Sequence, residues 1–535
     1  MKKRLLALAI VAVLAISLIA ACGPADEPAP VVVDTPEDPV VEAPPEPEEE
    51  EERPEEIIAD ARTHLRIGTA SLPASLCPQG QNDNPSAQAW KQIYSRLIDL
   101  DYDTFEPVPG LAHSWEVIDA RSVRFFLRDD VVFHNGQPLT AQDVQYSIER
   151  VAVAPPFEPI FGMFTHVDIE DDYTVVIHSE MDFAPFLRHI AHSGGAIVPY
   201  GMTEEELREH PIGTGPFMFE SITPGDRLEL VRFDDYWGSA PLLERMTFIE
   251  ITDPPARALA IQAGDVDLVL GIMPPDMAPL EADPNVNVIR RMSLGTDYIG
   301  FNNTIAPWND VRVRQAVNYA FNAQAVVDAV FMGQGAPQAG PIPAIAFGAA
   351  DLEPFPYDVE RARELMAEAG LEDGFEATAW FNLGNAARSD VMEALQAALR
   401  AINIELTVEG VEWADYLERT ANFEHDLFIL GWVTVTGDAD YGLFPLFHTS
   451  VMGPGGNRSG FSNADVDRLL EEGRSELDPA RRIEIYAEIQ QIIRDEAAWV
   501  FLRQGENVDA AVPSLRGFVS HPAAHHAFYN IWFDE

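Results

Sequence analysis

The stretch Asp426-Leu427-Phe428-Ile429-Leu430-Gly431-Trp432 constrains the fold more than any other part of the chain. Consecutive apolar residues between an aspartate and a glycine are typical of a buried strand, as in a sheet covered by helices. The strand runs into a loop of threonine, glycine and aspartate at 433–441. Ligands of open α/β sheets bind outside the carboxyl ends of strands, so Trp432 is either a ligand anchor or a core residue.

Clear helix start signals alternate with strands in the C-terminal half of the chain. Asp310 and Asp358 can each cap a helix, and Gly370 can end the second of these helices. Ser462-Asn463-Ala464-Asp465 has the pattern of a capping box. Helices that alternate with strands are typical of βαβ units, so the sequence predicts an α/β fold.

The N-terminus has the pattern of an export signal. Residues 1–4 are basic after the initiating methionine, residues 5–21 are apolar, and small residues precede Cys22. A cysteine at this position resembles the bacterial lipobox, which implies that 1–21 is a removed signal peptide and that Cys22 carries a lipid. An uncleaved membrane anchor is the alternative, although the apolar run is at the short end of a membrane span. Both interpretations place the body outside the cytoplasm.

A predicted tether follows at 22–62, where proline, glutamate, aspartate and valine dominate. Such a segment cannot bury enough apolar surface to offset the entropy lost on ordering, and its like charges extend it. The remaining ~470 residues are enough for two or more domains.

The charge of the chain excludes two kinds of partner. Its 87 acidic and 35 basic residues give a formal net charge of −52. Nucleic acids and anionic membrane surfaces need a basic face, so neither is a predicted partner. After Lys3 the only lysine is Lys91, so no other position could supply a phosphate-binding or Schiff-base lysine.

Catalytic motifs are missing from the sequence, which has neither a G-x-S-x-G elbow nor an H-E-x-x-H helix. His189 and His192 could share a helical face, but no cysteine or acidic residue stands at a ligand-like spacing, so we predict no metal site. Asp438 and Asp440 could form a carboxylate pair, and capping of the following helix by Asp440 is the preferred interpretation. We therefore expect no catalytic residue and no cofactor.

Several motifs resemble the family-5 extracellular solute-binding proteins, which are the peptide, nickel and glutathione receptors of ABC importers. The longest match begins at Leu111-Ala112-His113-Ser114-Trp115, continues through 127–144 and ends at Glu149-Arg150. The resemblance spans roughly His64 to the C-terminus, with further matching segments at 211–217, 236–238, 257–267, 301–303 and 310–318.

This resemblance implies an α/β, two-lobed periplasmic-binding-protein-like fold of type II, in the large cluster C, with an inserted subdomain. Lobe I is then expected at 63–97, 213–300 and 501–535. The inserted subdomain is expected at 98–212, and lobe II at 301–500.

The resemblance also implies an extracytoplasmic substrate-binding lipoprotein that captures a peptide in the cleft between the lobes. The ligand would be delivered unchanged to the transmembrane subunits of an ABC permease. The protein is expected to act as a monomer held at the membrane by the lipid on Cys22. A receptor for a nickel chelate, an oligosaccharide or an opine, and a secreted hydrolase, are the alternatives.

Candidate ligand contacts follow from the matching motifs. Trp413 matches a tryptophan that lines the cleft in dipeptide-binding members, and Gly431-Trp432 matches the family's strand end beside the ligand. An indole has a large rigid face and one N–H donor, which suits a peptide backbone. Asn302 and Asn303 could offer amide groups near the crossover between the lobes, or could be simple loop residues.

The chain departs from the dipeptide-binding relatives at both ligand termini. Val435, flanked by Thr434 and Thr436, stands where those relatives have an aspartate for the ligand's α-ammonium group. Asn382 stands where they have an arginine for the ligand carboxylate. Residues 436–448 instead resemble the oligopeptide- and glutathione-binding branches, so we expect a ligand longer or more modified than a dipeptide.

Arg458 is a further candidate, because it follows a glycine-rich loop and could bind a ligand carboxylate through two parallel hydrogen bonds. A surface ion pair is the alternative. If Arg458 contacts ligand, replacing it by alanine should weaken binding without lowering the Tm of the ligand-free protein.

Overall fold

The computed structural model describes residues 62–534. The predicted signal peptide, the lipidation site Cys22 and the tether up to residue 61 lie outside the described residues. Within 62–534, no helix has the length and apolarity that crossing a membrane requires.

The strands are numbered in chain order from β1 to β19, with these bounds: β1 His64–Thr69, β2 Ile98–Leu100, β3 Pro107–Pro109, β4 Ala112–Asp119, β5 Ser122–Leu127, β6 Phe164–Asp171, β7 Thr174–Ser179, β8 Phe217–Thr223, β9 Arg227–Arg232, β10 Arg245–Glu250, β11 Leu268–Val269, β12 Asn287–Phe301, β13 Ala336–Pro337, β14 Phe375–Asn382, β15 Ile404–Val411, β16 Leu427–Val433, β17 Trp499–Ala511, β18 Leu515–Arg516 and β19 Trp532–Phe533.

The α-helices are numbered in the same way: α1 Asn84–Ile93, α2 Ala141–Ala152, α3 Glu158–Phe161, α4 Phe186–Ile190, α5 Glu204–Glu209, α6 Pro254–Ala263, α7 Pro274–Glu281, α8 Val311–Ala320, α9 Ala323–Val330, α10 Val359–Glu368, α11 Ala386–Leu399, α12 Trp413–Ala421, α13 Ala439–Phe447, α14 Ala464–Ser475 and α15 Pro479–Asp495.

Side-chain caps start many of these helices, which explains why the sequence signals were readable. Asp310 and Asp358 accept hydrogen bonds from the backbone of α8 and α10, as predicted. The predicted capping box before α14 is wrong in detail, because Asn463 caps the helix and accepts from two of its N–H groups. Asp438 caps α13, so the expectation that Asp440 would do so is also wrong.

One large sheet organises the molecule. Its strand order is β15-β14-β16-β12-β17-β11-β1-β10-β9-β8, with β13 paired to β17. β14 is parallel to β15 and β16, and β1 is parallel to β10 and β11, while β12 runs antiparallel to both of its neighbours. Parallel strands with helices between them place their carboxyl ends at one edge, where ligands bind.

The long strands β12 and β17 join the two halves of this sheet. Their register shifts between Met292 and Thr296, opposite Gln504 and Glu506, and again after Asp297. Extra residues in one strand bend and twist a sheet, so the chain crosses between the halves at these shifts. The lobe boundaries expected at 300/301 and 500/501 fall inside the two strands. They stay a proposal, and the shifts favour boundaries earlier in β12 and later in β17.

Apolar cores cover both faces of the large sheet. One core fills the half that contains β1 and β8–β10, and it extends into a separate four-stranded sheet of order β4-β5-β7-β6. Two further cores cover the half that contains β14–β16. A smaller one lies among α6, α7 and the end of β17. The four-stranded sheet lies within the range 98–212 expected for the inserted subdomain.

Candidate ligand-binding site

The strand predicted at 427–430 is β16, and Leu427 to Leu430 are buried on both faces. β16 pairs with β12 along its whole length but with β14 only at Leu427 and Phe428. From Ile429 onwards, β14 therefore no longer pairs with this edge of β16.

The hydrogen bonds of β16 show which of its residues direct their N–H and C=O groups towards the open edge. Thr434 donates its N–H to the Leu294 carbonyl of β12 at 2.9 Å. Opposed residues in an antiparallel pair alternate between hydrogen-bonded and non-hydrogen-bonded pairs. The even-numbered residues of β16 therefore bond to β12. Ile429 accordingly faces the other way: its N–H donates to the Tyr416 hydroxyl at 3.0 Å, and that hydroxyl donates to the Ile429 carbonyl at 2.6 Å. Gly431 is the next residue whose N–H and C=O face this edge.

An arginine lies beside Gly431. A Cβ atom on Gly431 would be 3.0 Å from Asp297 Oδ1 and 3.1 Å from the Thr296 carbonyl, which is tight, and 3.5 Å from Arg388 Nη2, which is ordinary van der Waals contact. Arg388 Nη1 donates to Asn382 Oδ1 at 2.8 Å, and Asn385 caps α11 by accepting from the Arg388 N–H. The contact with Asn382 holds this guanidinium at the carboxyl end of β14, and the Asn385 cap fixes the backbone from which the side chain extends.

Arg388 is a candidate ligand-binding residue that sequence reasoning missed. The family resemblance predicted that Asn382 occupies the position of a carboxylate-binding arginine, and in the structure Asn382 holds an arginine from six residues later in the chain. The signal was the pair of asparagines before a helix start with an arginine in the first turn. The contact between Asn382 and Arg388 could not be recognised from the sequence, because β14 ends and α11 begins between the two positions.

Trp413 lies on the open side of the strand. It is the first residue of α12, its side chain is among the exposed apolar groups at 45%, and its ring stacks on Tyr416 with centroids 5.9 Å apart. Because Tyr416 bonds to Ile429, the exposed indole face is held next to the free edge of β16. A ligand contact for Trp413 stays a prediction.

Trp432 is held more tightly than a free ligand anchor would be. Its indole N–H donates to the Tyr441 carbonyl at 3.1 Å, and its half-buried ring packs against the cores of both halves of the sheet. The N–H is therefore used within the protein. The ring face remains the part of Trp432 that a ligand can contact.

Thr434 and Thr436 are buried in the loop after β16. Thr436 Oγ1 accepts from the Asp438 N–H at 3.3 Å, which shapes the loop. The Thr434 hydroxyl finds no hydrogen-bond partner among the described residues and lies against α13 near Gly442. The structure therefore brings both threonines to the predicted loop but directs them into the protein, and a ligand contact for them stays a prediction.

Asn302 and Asn303 fasten loops to the end of β12. The Asn302 amide donates to the Phe423 and His425 carbonyls, at 2.9 Å each, and Asn303 donates to the Ser459 carbonyl at 3.0 Å. Asn302 is fully buried. The structure does not bring these amides to the open edge of β16.

Arg458 also has a structural role. Its guanidinium donates to the Leu417 carbonyl and, at 3.0 Å, to Thr420 Oγ1, both in α12. Burial lowers the pKa of this arginine. Arg458 therefore positions the helix that carries Trp413.

We expect Arg458→Ala to lower the free energy of unfolding by about 1.5–3 kcal/mol, since two acceptors in α12 lose their charged donor. This result would contradict the expectation that the ligand-free Tm is unchanged. Urea unfolding of the ligand-free protein measures it, with exposed Arg468→Ala as the matched control. Equal midpoints for the two variants would show that the α12 contacts contribute little.

The histidines considered for a metal are buried in the protein. His189 Nδ1 contacts the Ile160 carbonyl at 2.8 Å, and burial lowers the pKa of both His189 and His192. A different group on the inserted sheet, His166, Asp168 and His178, brings three ligand atoms within 4.8 Å of one another. It lies on β6 and β7, away from the open edge of β16, so the expectation of a metal-free binding site stays a prediction.

A sheet shared by two halves, with an open strand edge, an exposed indole and a fixed guanidinium at the carboxyl ends of its strands, defines a two-lobed α/β binding protein. The model of the bacterial extracellular solute-binding proteins, family 5 middle region, matches residues 106–454. The chain belongs to this family, which comprises non-enzymatic, extracytoplasmic substrate-binding proteins of ABC transporters. The secreted hydrolase considered as an alternative is thereby excluded.

Individual relatives differ in what they bind. The chain is 30% identical over 505 residues to the heme-binding protein A of Haemophilus influenzae, covering 87% of this chain and 91% of the relative. It is 30% identical over 473 residues to a glutathione-binding protein of Pectobacterium atrosepticum, covering 85% and 91%.

Solved structures confirm the fold. The structure of HbpA2 from Haemophilus parasuis matches with a TM-score of 0.81 at 29% identity, covering 88% of this chain and all of that one. The binding protein DppA from Helicobacter pylori, in complex with the peptide STSA, matches with a TM-score of 0.76 at 26% identity, covering 88% and 98%. The predicted periplasmic-binding-protein-like fold is therefore confirmed.

Proposed function

We propose that this protein captures peptides outside the cytoplasm and delivers them to the transmembrane subunits of an ABC permease. The observation that carries the proposal is the free edge of β16 at Gly431. An extended peptide can add to such an edge as a further strand, with its backbone forming the hydrogen bonds. Recognition through the backbone suits a receptor that accepts different side chains.

The groups around the edge fit the rest of a peptide. The Arg388 guanidinium, fixed by Asn382, can bind a carboxylate through two parallel hydrogen bonds. Trp413 offers an exposed indole face to apolar atoms. The named peptide complex of a 26% identical relative supports the same ligand class. A nickel chelate, an oligosaccharide or an opine lacks the extended row of backbone N–H and C=O groups that an open strand edge can bond.

Delivery follows from closure of two lobes about a hinge. The register shifts in β12 support a hinge between the halves of the sheet, and closure about a ligand is then a population shift towards the closed form. We further propose that the protein works as a monomer and that a lipid on Cys22, with the tether at 22–62, keeps it beside the permease.

Native mass spectrometry of the purified body tests the ligand class. After incubation with a mixture of peptides of two to nine residues, we expect intact peptide to remain bound and none to be cleaved. Small-angle scattering should then show compaction in the presence of the retained peptide. Retention of a non-peptide solute alone, or a radius of gyration unchanged by every retained peptide, would overturn the proposal.

A further inference from the structure

A small cavity lies against Val435, in the loop just after β16. Its volume is about 40 Å³, which is room for roughly three water molecules. We call it the Val435 cavity. From the β14–β16 half of the molecule, Val435 lines the cavity. The facing polar side chains come from α1, from the segment that follows α1, from the segment that follows α4 and from the C-terminal region: Lys91, Arg96, Asp99, His192, Ser193, His521 and His525.

The cavity carries an excess of positive charge. Lys91 Nζ donates to Asp99 Oδ1 at 2.7 Å, and Arg96 donates to the same oxygen. Lys91 and Arg96 are 11% and 4% exposed, so one carboxylate is shared by two largely buried cations. Buried cations require a partner, and this arrangement leaves one positive charge without a counter-ion in the cavity wall.

The hydrogen-bonding groups of the cavity are mainly donors. The Gly194 N–H donates to His192 Nδ1, and the Ala523 N–H donates to His521 Nδ1. Each of these neutral rings therefore carries its proton on Nε2. His192 Nε2, Arg96 Nε and the Ser193 hydroxyl are all buried and find no hydrogen-bond partner within residues 62–534. Buried donors without acceptors are costly, so the site lacks an acceptor that something else must supply.

We propose that the Val435 cavity binds a carboxylate carried by the ligand at the end that lies next to Val435. A carboxylate supplies two acceptor oxygens and the missing negative charge. This inference rests on the proposed peptide-receptor function and adds a substrate class to it: peptides whose first residue carries a carboxylate and no free α-ammonium group. An acidic residue whose α-amine is acylated has this chemistry.

The residue at position 435 fits the same substrate class. An aspartate there would neutralise the excess charge of Lys91 and Arg96 and would attract an ammonium group. Valine leaves the cavity cationic and offers nothing to an ammonium. The valine at position 435 and the positive charge of the cavity therefore both disfavour a ligand with a free α-ammonium group. Specificity of this kind arises from repulsion as much as from attraction.

Three probes with one backbone test the proposal: tri-alanine, N-acetyl-tri-alanine and N-succinyl-tri-alanine. They present a cation, a neutral group and a carboxylate at the same end. By calorimetry at pH 7, the succinyl probe should bind roughly tenfold tighter than the acetyl probe, and the free amine should bind weakest. Equal affinities would overturn the carboxylate site alone. Failure of all three probes to bind would overturn the peptide-receptor function and the carboxylate site with it.

Two substitutions test the residues. Lys91→Met keeps the side-chain length, and it should reduce the advantage of the succinyl over the acetyl probe by roughly tenfold. Arg121→Met removes the same charge from an exposed pair on the inserted subdomain and should leave that advantage unchanged. Val435→Asp should reverse the order, so that free tri-alanine binds tighter than the succinyl probe. If the order of the probes were the same in all three variants and the parent, the cavity would not contact the ligand.

The pH dependence has a defined sign. Burial, and next the neighbouring Arg96, lower the pKa of Lys91 to about 8. Burial keeps the three histidines neutral at pH 7 and above, Tyr102 titrates far higher, and the two cations keep Asp99 ionised. The affinity for the succinyl probe should therefore fall as the pH rises above about 8, while that of the acetyl probe stays level. Parallel profiles for the two probes would contradict a role for Lys91.

Discussion

Asp438→Ala is expected to lower the free energy of unfolding by about 3–5 kcal/mol, because it leaves a buried arginine without its counter-charge. Asp438 is fully buried and accepts from Arg482 at 2.8 and 3.2 Å, and Arg482 is 4% exposed. Arg188 Nη1 lies 3.7 Å away on the other side. Asp438→Ala therefore removes the only carboxylate that pairs with Arg482 among these contacts.

The loss should extend beyond one ion pair. Arg482 is in α15, Asp438 caps α13 in the loop after β16, and Arg188 is in α4 of the inserted segment. Next to them, Arg474 of α14 binds Asp440 through two hydrogen bonds of 3.0 Å. These pairs hold the loop that carries Val435 against both neighbouring parts of the molecule. Ligand affinity should therefore fall together with stability in this variant.

Urea unfolding of the ligand-free protein measures the effect. Arg481→Ala is the matched control: it removes an exposed arginine, next in sequence to Arg482, that pairs with Glu484 and Glu472. Exposed pairs contribute about 0–1 kcal/mol, so this control should unfold close to the parent. If Asp438→Ala unfolded at the same urea concentration as the control, the buried pair would contribute no net stability.

Acidification should act in the same direction as the substitution. Burial alone would raise the pKa of Asp438, but Arg482 and then Arg188 outweigh it and lower the pKa below the ordinary value of 3.8. The stability from this carboxylate is therefore complete above the unfolded-state pKa and is lost as the pH falls through the lower folded-state pKa. Asp438→Ala should lack this part of the parent's acid sensitivity.

The sequence predicted structural elements correctly where the interactions that form them are between neighbouring residues. The apolar run at 427–430 predicted β16 because a strand buried on both faces needs little beyond its own composition. Asp310 and Asp358 were readable as caps because the cap and its acceptor N–H groups are neighbours in the chain. Sequence resemblance, and not periodicity, gave the two-lobed fold.

The site was less predictable because its contacts join distant segments. Nothing near Arg458 in the sequence shows that its partners lie in α12, and the amides of Asn302 are occupied by carbonyls more than a hundred positions away. The cap is Asp438 because α13 begins at Ala439, so Asp440 lies inside the helix, where it pairs with Arg474 of α14. A polar residue at a motif position can hold the site together without contacting the ligand.

Arg388→Met should cause the largest loss of ligand affinity. Truncating one partner of a buried, hydrogen-bonded charge pair costs about 2–5 kcal/mol, which corresponds to a loss of roughly 30-fold or more. A loss of this size is expected if the ligand carboxylate lies at Gly431, beside the guanidinium that Asn382 holds. Calorimetry with the peptide retained in native mass spectrometry, in its free-acid form, measures the loss.

The amidated form of the same peptide separates carboxylate recognition from general damage to the site. It has no charge for Arg388 to bind, so the parent should bind it more weakly than the free acid, and Arg388→Met should bind both forms about equally. Arg400→Met, which removes an exposed arginine at the other end of α11 whose contact is Gln396, should keep the parent's preference for the free acid. If Arg388→Met kept that preference as well, the carboxylate would lie elsewhere, because a guanidinium that contacts it cannot be removed without abolishing the distinction between acid and amide.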